Sequence, residues 1–369
     1  YANAIQLRMY DPTGWFETEA GDIIPFESPG NVVRYRPANL TERNNLRLFQ
    51  KFEYKPIENV SLVGEYTYEK RMSHGRNTNN GQIFASTFKF IPNLTAENSF
   101  LRSNIYRSSF NTTYNSVNLY GKYEASLSDH NFKVLAGLNR EKSVAEGFWA
   151  SRNGLISPTI PTFNLAIGEN WDIADSYNDW SVMGYFARFN YNYQEKYFFE
   201  ANGRYDGSSR FPKGSRFVFL PSFSAGWNVT KESFMESVDF LTSLKLRASW
   251  GEIGNQNTSD LYPSIAGYED YMASWVNIDT DLRYLTLAPG QLISDAFTWE
   301  KVRTTNIGMD AGILSNKLQT SIDLYSRETL GMLSEGLDLP TILGTDAPDQ
   351  NVADLETRGW EFEVRWNDR

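Results

Sequence analysis

The chain has 369 residues, with 35 Lys and Arg against 45 Asp and Glu, a formal net charge of -10 and no cysteine. Without cysteine there are no disulfides, thiolate metal sites or cysteine nucleophiles, and an acidic chain with no long basic run does not fit a nucleic-acid partner. Mean hydropathy is -0.48 and no apolar run approaches the roughly 18–20 residues that a spanning helix needs, so a helical membrane protein is excluded.

In chain order, eleven stretches alternate polar and apolar residues with period two. The first pair, 45–54 and 59–71, is joined at Lys55-Pro56-Ile57-Glu58. In its second member Val60, Leu62, Gly64, Tyr66 and Tyr68 face one way and Ser61, Glu65, Thr67 and Glu69 the other, with Val63 as the exception. A polar stretch, 72–114, follows. Segments 117–127 and 132–141 are joined by Ser128-Asp129-His130-Asn131, all good turn formers, and a second long loop runs over 142–180. Segments 181–193 and 196–206 meet at Gln194-Glu195-Lys196. Met183, Tyr185, Ala187, Phe189, Tyr191 and Tyr193 share one face there, and Gly184, Phe186, Arg188, Asn190 and Asn192 the other. A polar loop, 207–215, leads to 216–229. Thr230, Ser233 and Glu236 then suit the cap of a short helical turn. Segment 243–251 sets Leu244, Leu246, Ala248 and Trp250 against Lys245, Arg247 and Ser249. The longest loop, 252–297, precedes 299–313 and 317–330, joined at Leu314-Ser315-Asn316. A loop at 331–351 leads to 355–367, where Trp360, Phe362, Val364 and Trp366 alternate with Glu361, Glu363 and Arg365.

Short and long connections take turns throughout, and only 230–242 is of middle length. This is the pattern of an all-β, antiparallel transmembrane β-barrel, with short turns on the periplasmic side and long loops outside. Its alternation keeps mean hydropathy low. Aromatic residues reach 15%, and segments of about 10–14 residues suit a tilted crossing. Eleven is an odd count, whereas single-chain bacterial barrels have even ones, so further strands are expected to close the wall. No linker or compositional break divides residues 1–369, which read as one partial barrel. A start at Tyr1 with no signal peptide reads as a mature piece or internal segment of a longer protein.

Several residue groups invite a functional reading. Arg204, Asp206, Arg210, Lys213 and Arg216 surround an Asp-Gly-Ser-Ser-Arg-Phe-Pro-Lys-Gly loop, best explained by Arg–Asp pairing and turn chemistry. A phosphate loop would lead into a helix, and here a strand follows. In the longest loop Asn255, Asn257, Tyr262, Tyr268, Tyr271, Trp275, Asn277 and Asp279 combine aromatic faces with amides. They suit sugar rings, and peptides about as well, as substrate or lid contacts; a loop packing on itself is the alternative. Tyr193, Tyr197, Trp180, Trp227 and Trp250 sit where an interfacial girdle is expected. His74 and His130, the only histidines, fall in a long loop and a short turn and read as solvated loop residues. Carboxylates at Asp260, Glu269, Asp270, Asp279, Asp281, Asp346 and Asp349 lie in loops without the spacing of a calcium loop. No catalytic residue, metal site or cofactor is expected.

The runs Phe189-Asn190-Tyr191-Asn192-Tyr193, Lys196-Tyr197-Phe198-Phe199-Glu200-Ala201-Asn202 and Arg204-Tyr205-Asp206-Gly207-Ser208-Ser209-Arg210-Phe211 resemble the SusC/RagA family of TonB-dependent outer-membrane transporters. So do Phe219-Leu220-Pro221-Ser222-Phe223-Ser224-Ala225-Gly226-Trp227, Leu244 to Gly251, Gly254-Asn255-Gln256, Trp299-Glu300-Lys301, Thr305 to Asp310 and Asn351 to Phe362. The resemblance is carried by residues 181–369; before that only the strand grammar matches. It implies a segment of a barrel of about 22 strands around a plug that this chain does not contain. It further implies import of an oligosaccharide or oligopeptide across the bacterial outer membrane, a SusD-like lipoprotein partner, TonB acting through the plug, and surrounding outer-membrane lipid. Arg188, Asn190, Asn192, Glu200, Asn202 and Arg204 would line the lumen. A passive porin-like or structural barrel is the alternative, and a secreted glycan-binding β-protein a more distant one.

Overall fold

A computed structural model describes residues 14–17, 21, 23–26, 28–35, 39–81, 102–157, 159–258, 261–268, 270–276, 283–288, 292–294, 297–335, 340, 342 and 347–367. The elements are β1 (Trp15–Glu17), β2 (Ile23–Pro25), α1 (Pro29–Tyr35), β3 (Leu40–Ile57), β4 (Val60–Asn79), β5 (Asn104–Leu127), β6 (His130–Asn153), β7 (Trp171–Tyr193), β8 (Tyr197–Ser208), β9 (Phe217–Asn228), β10 (Leu241–Asn255), β11 (Asp270–Val276), β12 (Arg283–Leu287), β13 (Glu300–Ile313), β14 (Leu318–Glu335) and β15 (Asp349–Trp366). One sheet of eleven strands runs in the order β15-β14-β13-β10-β9-β8-β7-β6-β5-β4-β3. Each of the eleven alternating stretches corresponds to one of these strands. The pairings from β7 to β15 are antiparallel.

Several elements differ from the sequence expectation. β5 and β6 each have 24 residues and β7 has 23, so much of 72–114 and 142–180 is strand rather than loop. A 24-residue strand is about 80 Å long at roughly 3.3 Å per residue, well beyond a hydrocarbon core of ~30 Å. Where lipid ends, the ladder continues without any apolar demand on the side chains, so the alternation fades while the strand does not. The longest loop contains a hairpin, β11–β12. Residues 229–231 and 233–235 form two 3-10 turns, and neither has a side-chain cap. Both histidines lie in strands, His74 in β4 and His130 at the start of β6.

The register keeps the two faces apart. Across β10, β13, β14 and β15 one set of rows reads Leu246–Met309–Ile322–Phe362 and Ala248–Ile307–Leu324–Trp360. Many of these side chains are exposed, with Ile307 at 60%, Leu324 at 57% and Trp360 at 72%. Tyr185, Phe189, Phe199, Tyr205, Phe219 and Phe223 continue the exposed apolar face on β7–β9. A contiguous patch of this size is not a water-facing surface. The apolar rows stop at Trp250–Thr305, and the next row, Glu252–Arg303–Glu328–Glu356, is fully charged. At the short-turn end Tyr193, Tyr197 and Trp227 stack in sequence, with centroids 6.3 and 6.5 Å apart, as an interfacial girdle does. His130 joins them at 4.8 Å from Tyr193 and bonds Tyr191 Oη through Nδ1 at 2.8 Å, so it is a packed residue and not a solvated one. Trp180 belongs to the opposite face, under the Arg210 guanidinium, and Trp250 stacks on Phe223 at mid-strand.

The chain divides into two compact units. In the first, residues 1–48, 68–114 and 143–179, a small core of Ile105, Leu155 and Ala166 has Phe163 against it. There Ser28 caps α1 through the Asn31 amide at 3.3 Å, with Pro29 at the first helical position, where no N–H is missed. In the second, residues 49–67, 115–142 and 180–369, the buried apolar cluster is Phe211, Val218, Leu220, Phe297 and Trp299, with Leu333 packed on it. This cluster gathers under the long-connection ends of the strands.

The short turns are tight. Gln194 and Glu195 have φ of 49° and 54°, and Leu314, Ser315 and Asn316 have 55°, 57° and 64°. Left-handed backbone suits the twist of a hairpin but costs about 1–2 kcal/mol for a residue with a Cβ. Leu314→Gly is therefore expected to stabilise the β13–β14 hairpin by about 1 kcal/mol, read as a higher urea midpoint of the detergent-folded chain.

Candidate functional site

The polar face begins on β7 and β8. Register sets Arg188 opposite Asn202, Asn190 opposite Glu200 and Phe186 opposite Arg204. Arg188 Nε donates to Asn202 Oδ1 at 2.6 Å, Asn202 Nδ2 donates to Glu200 Oε1 at 2.7 Å, and Asn190 donates to Glu200 Oε2. Arg204 donates Nε and Nη2 to the two oxygens of Asp206 at 3.0 and 2.8 Å and lies over the Phe186 ring. Asn192 accepts the Glu195 amide at 2.8 Å and so closes the turn below it.

The strongest ionic group lies further along the same face. Arg247 on β10 donates Nη1 and Nη2 to Asp323 on β14, both at 2.6 Å. It donates Nε and Nη2 to Asp310 on β13 at 3.1 and 3.3 Å. Ser321 ties the two carboxylates together: it accepts from Arg247 Nη2 at 3.2 Å and donates to Asp310 at 2.8 Å. One guanidinium thus joins three strands through forked, charge-assisted bonds. It does so because its register partner is Gly308. A Cβ there would come within 2.6 Å of Arg247 Cζ and 2.8 Å of Asp323 Oδ1. Asn190, Asn192, Glu200, Lys245, Arg247 and Asn306 line a groove of about 430 Å³ on this face.

Both ends of the wall are laced. At the short-turn end Glu232 accepts Tyr197 Oη at 2.6 Å and Trp227 Nε1 at 3.1 Å, and Lys196 Nζ stands 3.6 Å away. Those two hydrogen bonds, helped by the lysine, hold the Glu232 carboxyl below the usual carboxylate range. Lys231 pairs with Glu195 and lowers that carboxyl as well. At the other end Trp299 Nε1 donates to the Arg216 carbonyl at 2.8 Å, and Arg216 Nε donates to the Phe211 carbonyl at 3.1 Å. The Asp-Gly-Ser-Ser-Arg-Phe loop is therefore held by Arg204–Asp206 pairing, as its sequence indicates, and also by Phe211 in the apolar cluster.

The structure brings Arg188, Asn190, Asn192, Glu200, Asn202 and Arg204 onto one face. It separates the long-loop residues by role. Asn255 ends β10, donating to Glu300 at 2.6 Å and accepting the Asn257 amide at 3.0 Å. Asn257 is exposed beside it, and Tyr268, Tyr271 and Trp275 are exposed on or near β11. Asn277, Asp260, Glu269, Asp279, Asp281 and Asp346 lie outside the described residues. Among the described residues no group of His, Asp and Glu has the arrangement of a metal site. Sequence reasoning put Arg247 on a polar face but missed its partnership with Asp310 and Asp323. Alternation marks the face of each residue, and only register shows that the three meet.

A sheet with an exposed apolar face, an ionic opposite face and alternating short and long connections is the wall of a transmembrane β-barrel. The chain belongs to the TonB-dependent receptor-like β-barrel family, whose model matches residues 8–368. This is a family of outer-membrane transport proteins, not enzymes. Among its relatives, TonB-dependent receptor P3 of Formosa agariphila is 31% identical over 255 residues, covering 69% of this chain and 25% of that protein. TonB-dependent receptor SusC of Bacteroides thetaiotaomicron is 31% identical over 252 residues, covering 68% of this chain and 24% of that protein. The solved RagAB peptide transporter superposes with a TM-score of 0.78 at 19% identity, covering 94% of this chain and 36% of that one, a likeness of fold. The chain thus spans about a quarter of the length of these curated relatives.

Gly308→Ala and Arg247→Ala are each expected to destabilise the wall by about 2 kcal/mol. Their double variant should be less than additive, because both break one fork; urea unfolding of the three variants measures this. Glu232, with its depressed native pKa, contributes stability at neutral pH that is lost as pH falls through that pKa. Thermal melts from pH 7 to 3 should show the loss in the wild type, and Glu232→Gln should start lower and flatten that part of the profile.

Proposed function

We propose that this chain is part of the barrel of a TonB-dependent importer of a large nutrient, an oligosaccharide or an oligopeptide. The observation that carries the reading is the continuous ionic and amide face opposite a continuous apolar one. Arg188, Asn190, Asn192, Glu200, Asn202 and Arg204 line the lumen in this reading, and the apolar face meets lipid. β3 and β15 end the sheet order, and further strands of the same protein join them to close the barrel around a plug that TonB acts on. The long connections face outward, where a SusD-like lipoprotein caps the barrel. Tyr268, Tyr271 and Trp275, together with Asn257 and Asn277, contact cargo or lid there, while Asn255 holds the base of the loop. The relative named SusC and the fold neighbour described as a peptide transporter support the two cargo classes about equally.

Deleting the gene is expected to abolish uptake of one labelled class, oligosaccharide or oligopeptide, by whole cells. Collapsing the inner-membrane proton gradient should abolish the same uptake in the wild type. Uptake that survives the collapse is the outcome a passive barrel gives and would sink the energised-import reading.

A further inference from the structure

A second cavity on the polar face is not needed by the fold or by the Arg247 network. It measures about 410 Å³ and is lined in part by Asn118 on β5, Asn139 and Glu141 on β6, Arg204 and Asp206 on β8, and Gln256 just past β10. That volume falls within the range of small-ligand sites. Three of these side chains are amides, which both donate and accept, and Asn139 Nδ2 already donates to Glu141 Oε1 at 3.1 Å.

Charge narrows the ligand. The Arg204 fork is taken by Asp206, so it is not open to a sulfate, a uronate or a peptide C-terminus. The Phe186 face is covered by the same guanidinium, which leaves hydrogen bonding rather than ring stacking as the mode of contact. Peptides are commonly recognised by pairing with a sheet edge or by apolar anchors, and this site is the polar face of a sheet.

Two buried atoms beside the cavity have no hydrogen-bond partner: Gln256 Oε1, an acceptor, and Arg210 Nε, a donor. Their residues are joined by Arg210 Nη1 donating to the Gln256 carbonyl at 3.1 Å. A hydroxyl donates and accepts, so it matches both kinds of group, whereas a carbonyl or an N–H matches one. Both atoms are closed off in this conformation. A ligand reaches Oε1 when the Gln256 side chain, which already lines the cavity, turns toward it.

We propose that this cavity is a subsite for a neutral, hydroxyl-rich oligosaccharide, an inference that rests on the import reading and narrows its cargo. Arg204, Asp206 and Gln256 lie in runs that carry the family resemblance, and they frame the site. Asn118, Asn139 and Glu141 lie where only the strand grammar matches, and they select the sugar.

The test uses the full-length protein, purified in detergent, on an array of neutral plant and microbial oligosaccharides, with sulfated counterparts and a hexapeptide library beside them. Binding to at least one neutral oligosaccharide is expected, and Asn139→Ala and Glu141→Gln should each weaken it about tenfold, the loss of roughly one hydrogen bond. An unchanged urea midpoint confirms that each variant folds. Should Asn139→Ala not fold, Glu141→Gln, which keeps the side-chain shape, decides the matter. Binding only to peptides or to sulfated sugars overturns the inference and leaves the import proposal standing. Neutral-sugar binding that neither variant alters also overturns it, as does an array that shows no neutral binder.

Discussion

The interstrand hydrogen-bond ladder is the interaction on which the rest of this wall depends. In a bilayer no water is present to pair an open N–H or C=O, so each spanning strand must satisfy its backbone through its neighbours. The ladder then fixes register, and register fixes which side chains share a row. Ile307, Leu324 and Trp360 stand together facing lipid because the pairings of β13, β14 and β15 put them in one row. The same pairings, one residue out of phase, set Arg247 against Gly308 and Asp323. A slip of one residue would send the guanidinium into lipid and an isoleucine into the polar side.

The charges of the polar face are neutralised close to where they stand. Arg188 has Glu200 within 3.9 Å, Arg204 has Asp206, and Arg247 has two carboxylates. A surface of this kind is wet and rigid but holds no passing solute tightly, which suits a conduit. Exposed single pairs of this type contribute little stability. The Arg247 group differs because one fork spans three strands and a glycine makes room for it.

The two ends of the wall differ in character. The short connections are laced to one another: the Gln194 amide donates to the Asp129 carbonyl, the Asn228 amide to Lys196 and the Leu314 amide to Phe240. Glu232 adds a carboxylate that holds Tyr197 and Trp227 in the aromatic girdle. At the opposite end Phe211, Phe297 and Trp299 build a compact apolar cluster under the long connections, while β11 and β12 carry exposed aromatics. Variation in loop sequence can be absorbed at that end without disturbing the ladder, so recognition of cargo belongs there more naturally than in the spanning rows.

The amino-acid sequence by itself determined the eleven strands, their two faces and the alternation of short and long connections. Each of these follows from a period of two and from local turn chemistry, as in Met183 to Tyr193 and in Gln194-Glu195-Lys196. It also placed Arg188, Asn190, Glu200 and Asn202 on one face. Tertiary structure alone decided how far the strands extend, because β5 to β7 outrun the apolar alternation where no lipid enforces it. It decided that His130 packs among tyrosines, that Trp180 lies under Arg210 rather than in the girdle, and that β11–β12 interrupts the longest loop. Above all it decided the meeting of Arg247, Asp310 and Asp323. Residues 63 and 76 positions apart come together through strand order and register, which no local pattern encodes.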